Sequence, residues 1–147
     1  MGLVYADIQL INSDDLLRAE DKTIQKAEIR QTTLSMMVDS GATMMAINES
    51  VRTQLGLRTQ YKQAAQLSDS SMIELDVVGP IDVRFLNRRA TCNAMVLPGD
   101  SEPLLGAIPM EEMDVMIHPT DHTLILPPSR PYVPMVKLKK LKIVSRY

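Results

Sequence analysis

Residues 36–43 have the sequence Met36-Met37-Val38-Asp39-Ser40-Gly41-Ala42-Thr43. An apolar run that is typical of a buried strand ends here at a carboxylate, which a hydroxyl residue, a glycine and an alanine follow. A buried carboxylate is costly unless it is hydrogen-bonded, paired or used in chemistry. Gly41 can adopt backbone conformations that other residues resist, which predicts a sharp turn just after Asp39. We therefore take this stretch as the first candidate for a functional loop.

A second stretch, much further along the chain, is apolar and reaches a glycine: Pro103-Leu104-Leu105-Gly106-Ala107-Ile108-Pro109. The first stretch resembles the catalytic loop of aspartic proteases (apolar, apolar, Asp-Ser/Thr-Gly-Ala). The second resembles the hydrophobic-hydrophobic-Gly element that precedes a short helix in the retroviral-type enzymes. An Asp-Ser/Thr-Gly tripeptide alone arises by chance in roughly a few per cent of chains of this length, so the resemblance depends on the pair. From about Leu3 to Leu126 the chain is similar to the retropepsin-like aspartic proteases of the small bacterial kind.

The resemblance implies roles for individual residues. Asp39 would be the catalytic carboxylate, and Ser40 would hydrogen-bond across a dimer axis and stiffen the loop. Gly41 would present its carbonyl to the substrate backbone, and Ala42 would leave room for the substrate strand. The flap, a hairpin that closes over bound peptide, would comprise Leu67, Ser68, Asp69, Ser70, Ser71 and Met72.

The chain has only one Asp-Ser/Thr-Gly motif. Aspartic protease chemistry needs two carboxylates that face one water and share a proton, because two like charges so close cannot both ionise. The resemblance therefore implies a symmetric homodimer to which Asp39 contributes twice. The implied activity is that of an aspartic endopeptidase acting on peptide or protein substrates without a cofactor or metal. Two alternatives stay open: an inactive dimer of the same fold that binds peptides or acts as a scaffold, and a monomer in which Asp39 is structural.

Two departures from the family pattern bear on these roles. The flap turn Ser68-Asp69-Ser70-Ser71 contains no glycine, although the family usually has one there. Asp and Ser adopt turn conformations less readily than glycine, so an ordinary surface hairpin is an alternative to a moving lid. Thr43 stands where the retroviral enzymes have an acid, so no carboxylate is expected at this position to hold the ends of a substrate.

The remaining pattern consists of short strands separated by tight turns, which predicts an all-β closed or nearly closed barrel with two short helices. The resemblance implies that this is the closed acid-protease (retropepsin-like) barrel. One helix is predicted at 48–55, with Asn48 as its cap, and the other within 108–113. Gly79-Pro80 is expected to separate two strands. We expect a protease domain over residues 1–126, followed by a proline-containing and basic tail over 127–147.

Composition sets limits on the other function classes. Of 147 residues 45% are hydrophobic and 23% charged, with a net charge of −2, so no global basic field favours nucleic acid as a partner. The single cysteine, Cys92, excludes an internal disulfide and fits a reducing compartment. The first residues show no signal-peptide pattern, and no segment is long and apolar enough to span a membrane. We therefore expect a cytoplasmic protein with no membrane partner.

Three further features of the sequence, two histidines, one cysteine and a basic segment, each have more than one interpretation. His118 and His122 are four residues apart, but Pro119 between them argues against a helical metal site. Cys92 lies in an apolar strand pattern, where thiols are usually inert. The basic segment 136–143 could be a strand that adds to the dimer, an arm that binds a surface, nucleic acid or membrane, or a disordered end.

Overall fold

The computed structural model describes residues 2–138, and within them the chain forms nine strands and three α-helices. In chain order these are β1 Tyr5–Asn12, α1 Ser13–Glu20, β2 Gln31–Val38, β3 Met45–Asn48, α2 Glu49–Leu55, β4 Arg58–Gln66, β5 Met72–Phe85, β6 Arg88–Leu97, β7 Leu104–Leu105, α3 Ala107–Met113, β8 Met116–His118 and β9 Thr123–Ile125. A short 3-10 turn at Lys26–Glu28 precedes β2.

Seven strands form one sheet in the order β1-β2-β7-β3-β6-β5-β4, and β1 also pairs with β5. Six of these strands therefore close into a ring, and β4 lies outside it, paired only with β5. Strands β8 and β9 form a separate antiparallel pair. The predicted all-β class with strand closure is confirmed.

One cluster of buried apolar side chains joins the ring to α2 and α3. Its fully buried members include Ile8, Leu10, Met36, Met45, Ile47, Leu55, Val78, Ile81, Val83, Ala94, Leu105 and Met113. Burial of such side chains stabilises a fold by about 1.5–3 kcal/mol each relative to exposure. Because β2, β7 and the end of α3 all contribute, the core fixes the elements that frame residues 39–43.

Helix α2 confirms its prediction, and α1 is a helix in addition to the two that the sequence predicted. In α2 the Asn48 side chain accepts the Val51 N–H at 3.0 Å, and Gly56 ends the helix in a left-handed conformation. In α1 the buried Asp15 carboxylate binds Arg30 through two hydrogen bonds of 2.8 and 3.0 Å. That contact is tertiary, so local pattern gave little signal for it. The structure thus has three α-helices among residues 2–138, rather than two.

The expected break at Gly79-Pro80 is wrong, because β5 runs through it as one strand of 14 residues. The pairing with β6 steps from Val78↔Ala94 to Ile81↔Cys92, so two residues of β5 face one residue of β6. Such a bulge accommodates a proline, since the missing N–H is not needed in the ladder there.

Among residues 2–138, none of the helices combines the length and the apolar character needed to cross a membrane.

Candidate active site

Asp39 lies directly after the last residue of β2, beside the short strand β7. Met37 and Val38 pair in parallel with Leu104 and Leu105, and the Asp39 N–H donates to the Leu105 carbonyl at 2.9 Å. The Asp39 side chain is only half-buried. The two motifs that are far apart in sequence are therefore neighbours in the structure.

The Asp39 carboxylate is oriented by its own loop. Its Oδ1 atom accepts the Gly41 N–H at 2.9 Å, and the Asp39 carbonyl accepts the Ala42 N–H at 3.1 Å. Within residues 2–138, Oδ2 accepts no hydrogen bond, and no Lys, Arg or His forms an ion pair with this carboxylate. One oxygen is thus held in place, while the other is available to a water or a substrate.

The far side of the loop is held by the start of α3. The Ala107 N–H donates to the Ala42 carbonyl at 2.7 Å, and the Ile108 N–H donates to the Thr43 carbonyl at 3.0 Å. Between these contacts Gly106 touches the loop backbone: a Cβ there would lie 2.4 Å from the Met44 oxygen and 2.9 Å from the Ala42 oxygen. The glycine of the second motif is therefore required by close backbone packing.

The unusual backbone conformation expected at Gly41 is not observed. The φ of Gly41 does not lie in the left-handed region. Among the described glycines, those with a positive φ are Gly56, Gly79 and Gly99. A Cβ at Gly41 would instead lie 3.2 Å from Asp39 Oδ1. The glycine keeps space next to the carboxylate, and the loop turns without an unusual φ at this position.

The predicted flap is a hairpin formed by β4 and β5, with a turn at residues 67–71. The Leu67 N–H donates to the Ser71 carbonyl at 2.8 Å, and Ser70 has a φ of 69°. Asp69 Oδ1 accepts both the Ser71 hydroxyl and the Ser71 N–H, and these hydrogen bonds lower the pKa of Asp69. The left-handed conformation that glycine commonly supplies is adopted here by Ser70, with Asp69 bracing the turn.

The hairpin has two different faces. On one face Lys62 lies 3.9 Å from Glu74 and 3.8 Å from Asp76. On the other face Tyr61 is paired with the buried Val77. The exposed Leu67 and Met72 flank the turn.

A cavity of about 520 Å³ opens beside Asp39, and we call it the Asp39 cavity. It is lined by Gly2, Leu3, Val4, Met37, Val38, Asp39, Ser40, Ile117, Pro119 and His122. Residues 67–72 do not line it, so the structure brings the two motifs together but does not place the flap turn at this cavity. The sequence interpretation did not predict that the β8–β9 hairpin would form one wall of the Asp39 cavity. The pair of histidines in that hairpin was the only sequence feature that drew attention to it.

Comparisons with known proteins agree with this geometry. A family model described as aspartyl protease matches residues 25–108, which is more than half of the chain. The chain belongs to the aspartyl protease family. Among 26 matching chains of solved structures is the retroviral protease-like domain of Ddi1 from Leishmania major, with a TM-score of 0.54 and 13% identity. That match covers 96% of this chain and 99% of the other, and it shows the retropepsin-like fold. No curated protein sequence matches significantly.

A second cavity, of about 530 Å³, is also lined in part by Ser40 of the loop at residues 39–43 of this aspartyl protease family member. We call residues 127–138 the C-terminal strap, because they pass along the end of α3. The cavity is lined by Ser40 of the loop, by Ala107, Met110, Glu111, Asp114 and Val115 of the α3 region, and by Arg130, Met135, Val136 and Lys137 of the strap.

The strap is fixed at Asp114. Arg130 donates two hydrogen bonds to the Asp114 carboxylate, at 2.7 and 3.0 Å, and the Met135 N–H donates a third at 3.0 Å. The Arg130 guanidinium first, and the Met135 N–H next, lower the pKa of Asp114 to about 2. Because that pKa is lowered, the contact contributes fully at neutral pH and is lost only as the pH falls toward 2. The part of the basic tail over 139–147 lies outside the described residues.

Cys92 lies in β6 of this family member, and His118 lies in the β8–β9 hairpin. Burial, with a smaller contribution from Glu112, raises the pKa of the Cys92 thiol to about 12, so the thiolate is scarce at neutral pH. His118 Nδ1 accepts the Asp121 N–H at 3.2 Å within the β8–β9 turn. In the described part of the chain, no three His, Cys, Asp or Glu side chains are grouped to hold a metal ion.

Proposed function

We propose that the protein is a homodimeric aspartic endopeptidase in which two Asp39 carboxylates activate a water for attack on a peptide bond. The observation that carries the proposal is the hydrogen bonding of the Asp39 carboxylate. One of its oxygens is held by the Gly41 N–H, and no described residue binds the other. A purely structural carboxylate is normally satisfied by several donors, as Asp15 is here by Arg30.

The second carboxylate would come from a second copy of the chain. A single chain supplies one Asp39, and the reaction needs one carboxylate to act as general base to the water and the other as general acid. We propose that Ser40 hydrogen-bonds across the two-fold axis, that Gly41 offers its carbonyl to substrate, and that Ala42 leaves room for it. Since the active pair holds one proton, cleavage should be bell-shaped in pH, with its maximum on the acid side of neutrality.

We further propose that residues 67–72 form the lid of this site. The support is the exposed hairpin itself, whose β4 strand lies outside the closed ring and pairs only with β5. An extended peptide would lie beneath the lid and pair with it by strand addition. The substrate class is therefore an unfolded or extended segment of a peptide or protein. The single cysteine fits action in a reducing, cytoplasmic setting.

One observation favours the inactive peptide-binding dimer as a second candidate. The flap turn is braced by Asp69 and does not line the Asp39 cavity. If that turn does not close over Asp39, peptide could be held in the groove without the exclusion of water on which efficient catalysis depends.

A peptide-library cleavage assay tests the proposal. Wild type, Asp39→Asn and the control Asp100→Asn are compared from acid to neutral pH; Asp100 is exposed and lies in a surface turn. We expect Asp39→Asn to lose cleavage by at least about 10²–10⁴-fold, because it keeps the shape but not the proton chemistry. Asp100→Asn should behave as wild type. Equal cleavage by Asp39→Asn would contradict the proposal, and peptide binding without cleavage by any of the proteins would support the inactive dimer.

A further inference from the structure

The charges of the chain are unevenly distributed. Residues 84–89 and 127–147 contain nine of the 16 Lys and Arg residues and none of the 18 Asp and Glu residues. The rest of the chain therefore has seven cations against 18 acids, a net charge of −11. The tip of the β5–β6 hairpin contacts the C-terminal strap, because the Asn87 side chain donates to the Pro131 carbonyl at 2.9 Å. The described parts of the two basic segments are therefore adjacent.

Exposed apolar side chains are concentrated in the same two segments. Of the seven most exposed large apolar side chains among residues 2–138, five lie in the strap or at the hairpin turn. We call these five the apolar tip: Leu86, Tyr132, Val133, Val136 and Leu138. Single exposed apolar side chains are ordinary on a protein surface, but a group of them beside basic residues marks an interaction surface.

The strap is anchored on both sides of the most exposed part of the apolar tip. The Asp114 carboxylate accepts hydrogen bonds from the Arg130 side chain before it and from the Met135 N–H after it. Between these anchors Tyr132 is 84% exposed and Val133 is 70% exposed. A loop that is already held at both ends loses little conformational freedom on binding, so the burial of its side chains contributes more to affinity.

We propose that the apolar tip and the basic residues around it bind the surface of an anionic lipid membrane. The inference goes beyond the proposed function and does not depend on it. Stable peripheral binding takes two signals, and both are present: apolar side chains that enter the headgroup region, and Lys and Arg residues that are attracted to anionic lipids. Tyr132 suits the interface in addition, because tyrosine has an apolar ring and a polar hydroxyl. Such binding needs no spanning helix, and the expectation of no membrane partner came from the lack of a spanning segment.

Two other partners use only part of this surface. A nucleic acid would pair its phosphates with the cations, but it has no apolar layer that would bury Val133, Val136 and Leu138. A second copy of the chain could offer its acidic part, but that contact would be head-to-tail and would not close into the two-fold dimer proposed above. An anionic membrane uses the charge and the apolar tip together.

Tryptophan fluorescence tests the inference, because the chain contains no tryptophan. The full chain with Tyr132→Trp is mixed with phosphatidylcholine vesicles, with vesicles that also contain about 30% phosphatidylserine, a strongly anionic composition, and with a DNA oligonucleotide. The control is Leu17→Trp, at an exposed position of α1. We expect the emission of Tyr132→Trp to move to shorter wavelength, and to be quenched by brominated lipid, only with the anionic vesicles. Leu17→Trp should not respond. No shift of Tyr132→Trp on anionic vesicles would overturn the inference.

The charge contribution is measured by co-sedimentation with the same vesicles. Lys137→Gln combined with Lys139→Gln should weaken binding to anionic vesicles at least tenfold, because each basic residue near such a surface contributes about fivefold. The matched control combines Lys22→Gln with Lys26→Gln, which changes the net charge equally at two exposed positions outside the basic segments. Equal weakening by the two pairs would mean that net charge alone is responsible and would contradict the inference.

The apolar contribution is measured in the same assay. Tyr132→Ser combined with Val133→Ser should weaken binding to anionic vesicles at least tenfold, whereas Leu17→Ser should bind as wild type does. If the double variant binds anionic vesicles as well as wild type, or if wild type binds the DNA oligonucleotide but not the vesicles, the membrane inference is wrong. It is also wrong if the double variant changes only the oligomeric state of the free protein, because the apolar tip would then be a contact between copies.

Discussion

The proposed catalytic loop at 39–43 and the proposed flap turn at 67–71 begin with the same local chemistry. In each, an aspartate Oδ1 accepts the N–H of the residue two positions further on, at 2.9 Å from Gly41 and at 2.9 Å from Ser71. The difference lies in what surrounds them. The catalytic loop is bound by backbone groups of Leu105 and Ala107, whereas the hydrogen bonds of the flap turn come only from its own residues.

This contrast shows that the local turn does not decide whether a segment is fixed or can move. Asp39 is held because β7 and α3 form a second layer that packs against the loop backbone. The flap turn has no such layer, and it is exposed throughout. Segments with few buried contacts open at low free-energy cost, as a lid requires.

The largest expected effect comes from breaking the second layer with Gly106→Ala. The added Cβ would overlap the Met44 and Ala42 carbonyl oxygens. These are backbone atoms, so the loop itself would have to shift to relieve the overlap. We expect the free energy of unfolding to fall by about 3 kcal/mol or more. Chemical denaturation at fixed protein concentration measures it.

The control for that change is Gly99→Ala. Gly99 has a positive φ, of 63°, whereas Gly106 has a φ of −93°, and a Cβ at Gly99 meets nothing within 4 Å. Only the backbone cost of about 1–2 kcal/mol should appear. Because Gly106 has a negative φ, its loss comes from packing alone, and a loss no larger than that of Gly99→Ala would contradict the size of the packing cost expected here.

Lowering the pH should have a smaller effect, confined to the hydrogen bonds of the flap turn. The Ser71 hydrogen bonds lower the pKa of Asp69, so their contribution is present above the ordinary range of aspartate and is lost as the pH falls through the lowered value. The Ser71 amide proton shift should follow the titration of the Asp69 carboxyl in NMR spectra. Asp69→Asn should abolish that titration without changing the denaturation midpoint by much.

The smallest effect is expected for Ser70→Gly. Glycine relieves the left-handed strain of Ser70 at φ 69° but adds freedom to the unfolded chain. The two contributions oppose each other, so the free energy of unfolding should change by less than about 1 kcal/mol. A change above that, measured by denaturation, would show that the turn is coupled to the core in the same manner as the catalytic loop.

Sequence patterns predicted the parts of the fold that depend on motifs and caps. The two motifs that frame Asp39 were recognised by their resemblance to a family, and the α2 helix, capped by Asn48 and ended at Gly56, followed from residue type and spacing. The continuity of β5 through Pro80 did not, because it depends on a bulge opposite Asn93. The His122 wall of the Asp39 cavity was also missed, since only the tertiary arrangement brings residues 117–122 to the loop.

The central claim is that activity requires two Asp39 carboxylates from two copies of the chain, and mixed dimers test it most directly. A fixed amount of wild type is allowed to exchange subunits with added Asp39→Asn, with Asp100→Asn as the control. If each active site needs both copies, one equivalent of Asp39→Asn should reduce cleavage to about half and three equivalents to about a quarter, because only dimers with two Asp39 remain active. If cleavage does not change as Asp39→Asn is added, each chain acts alone and the claim is wrong.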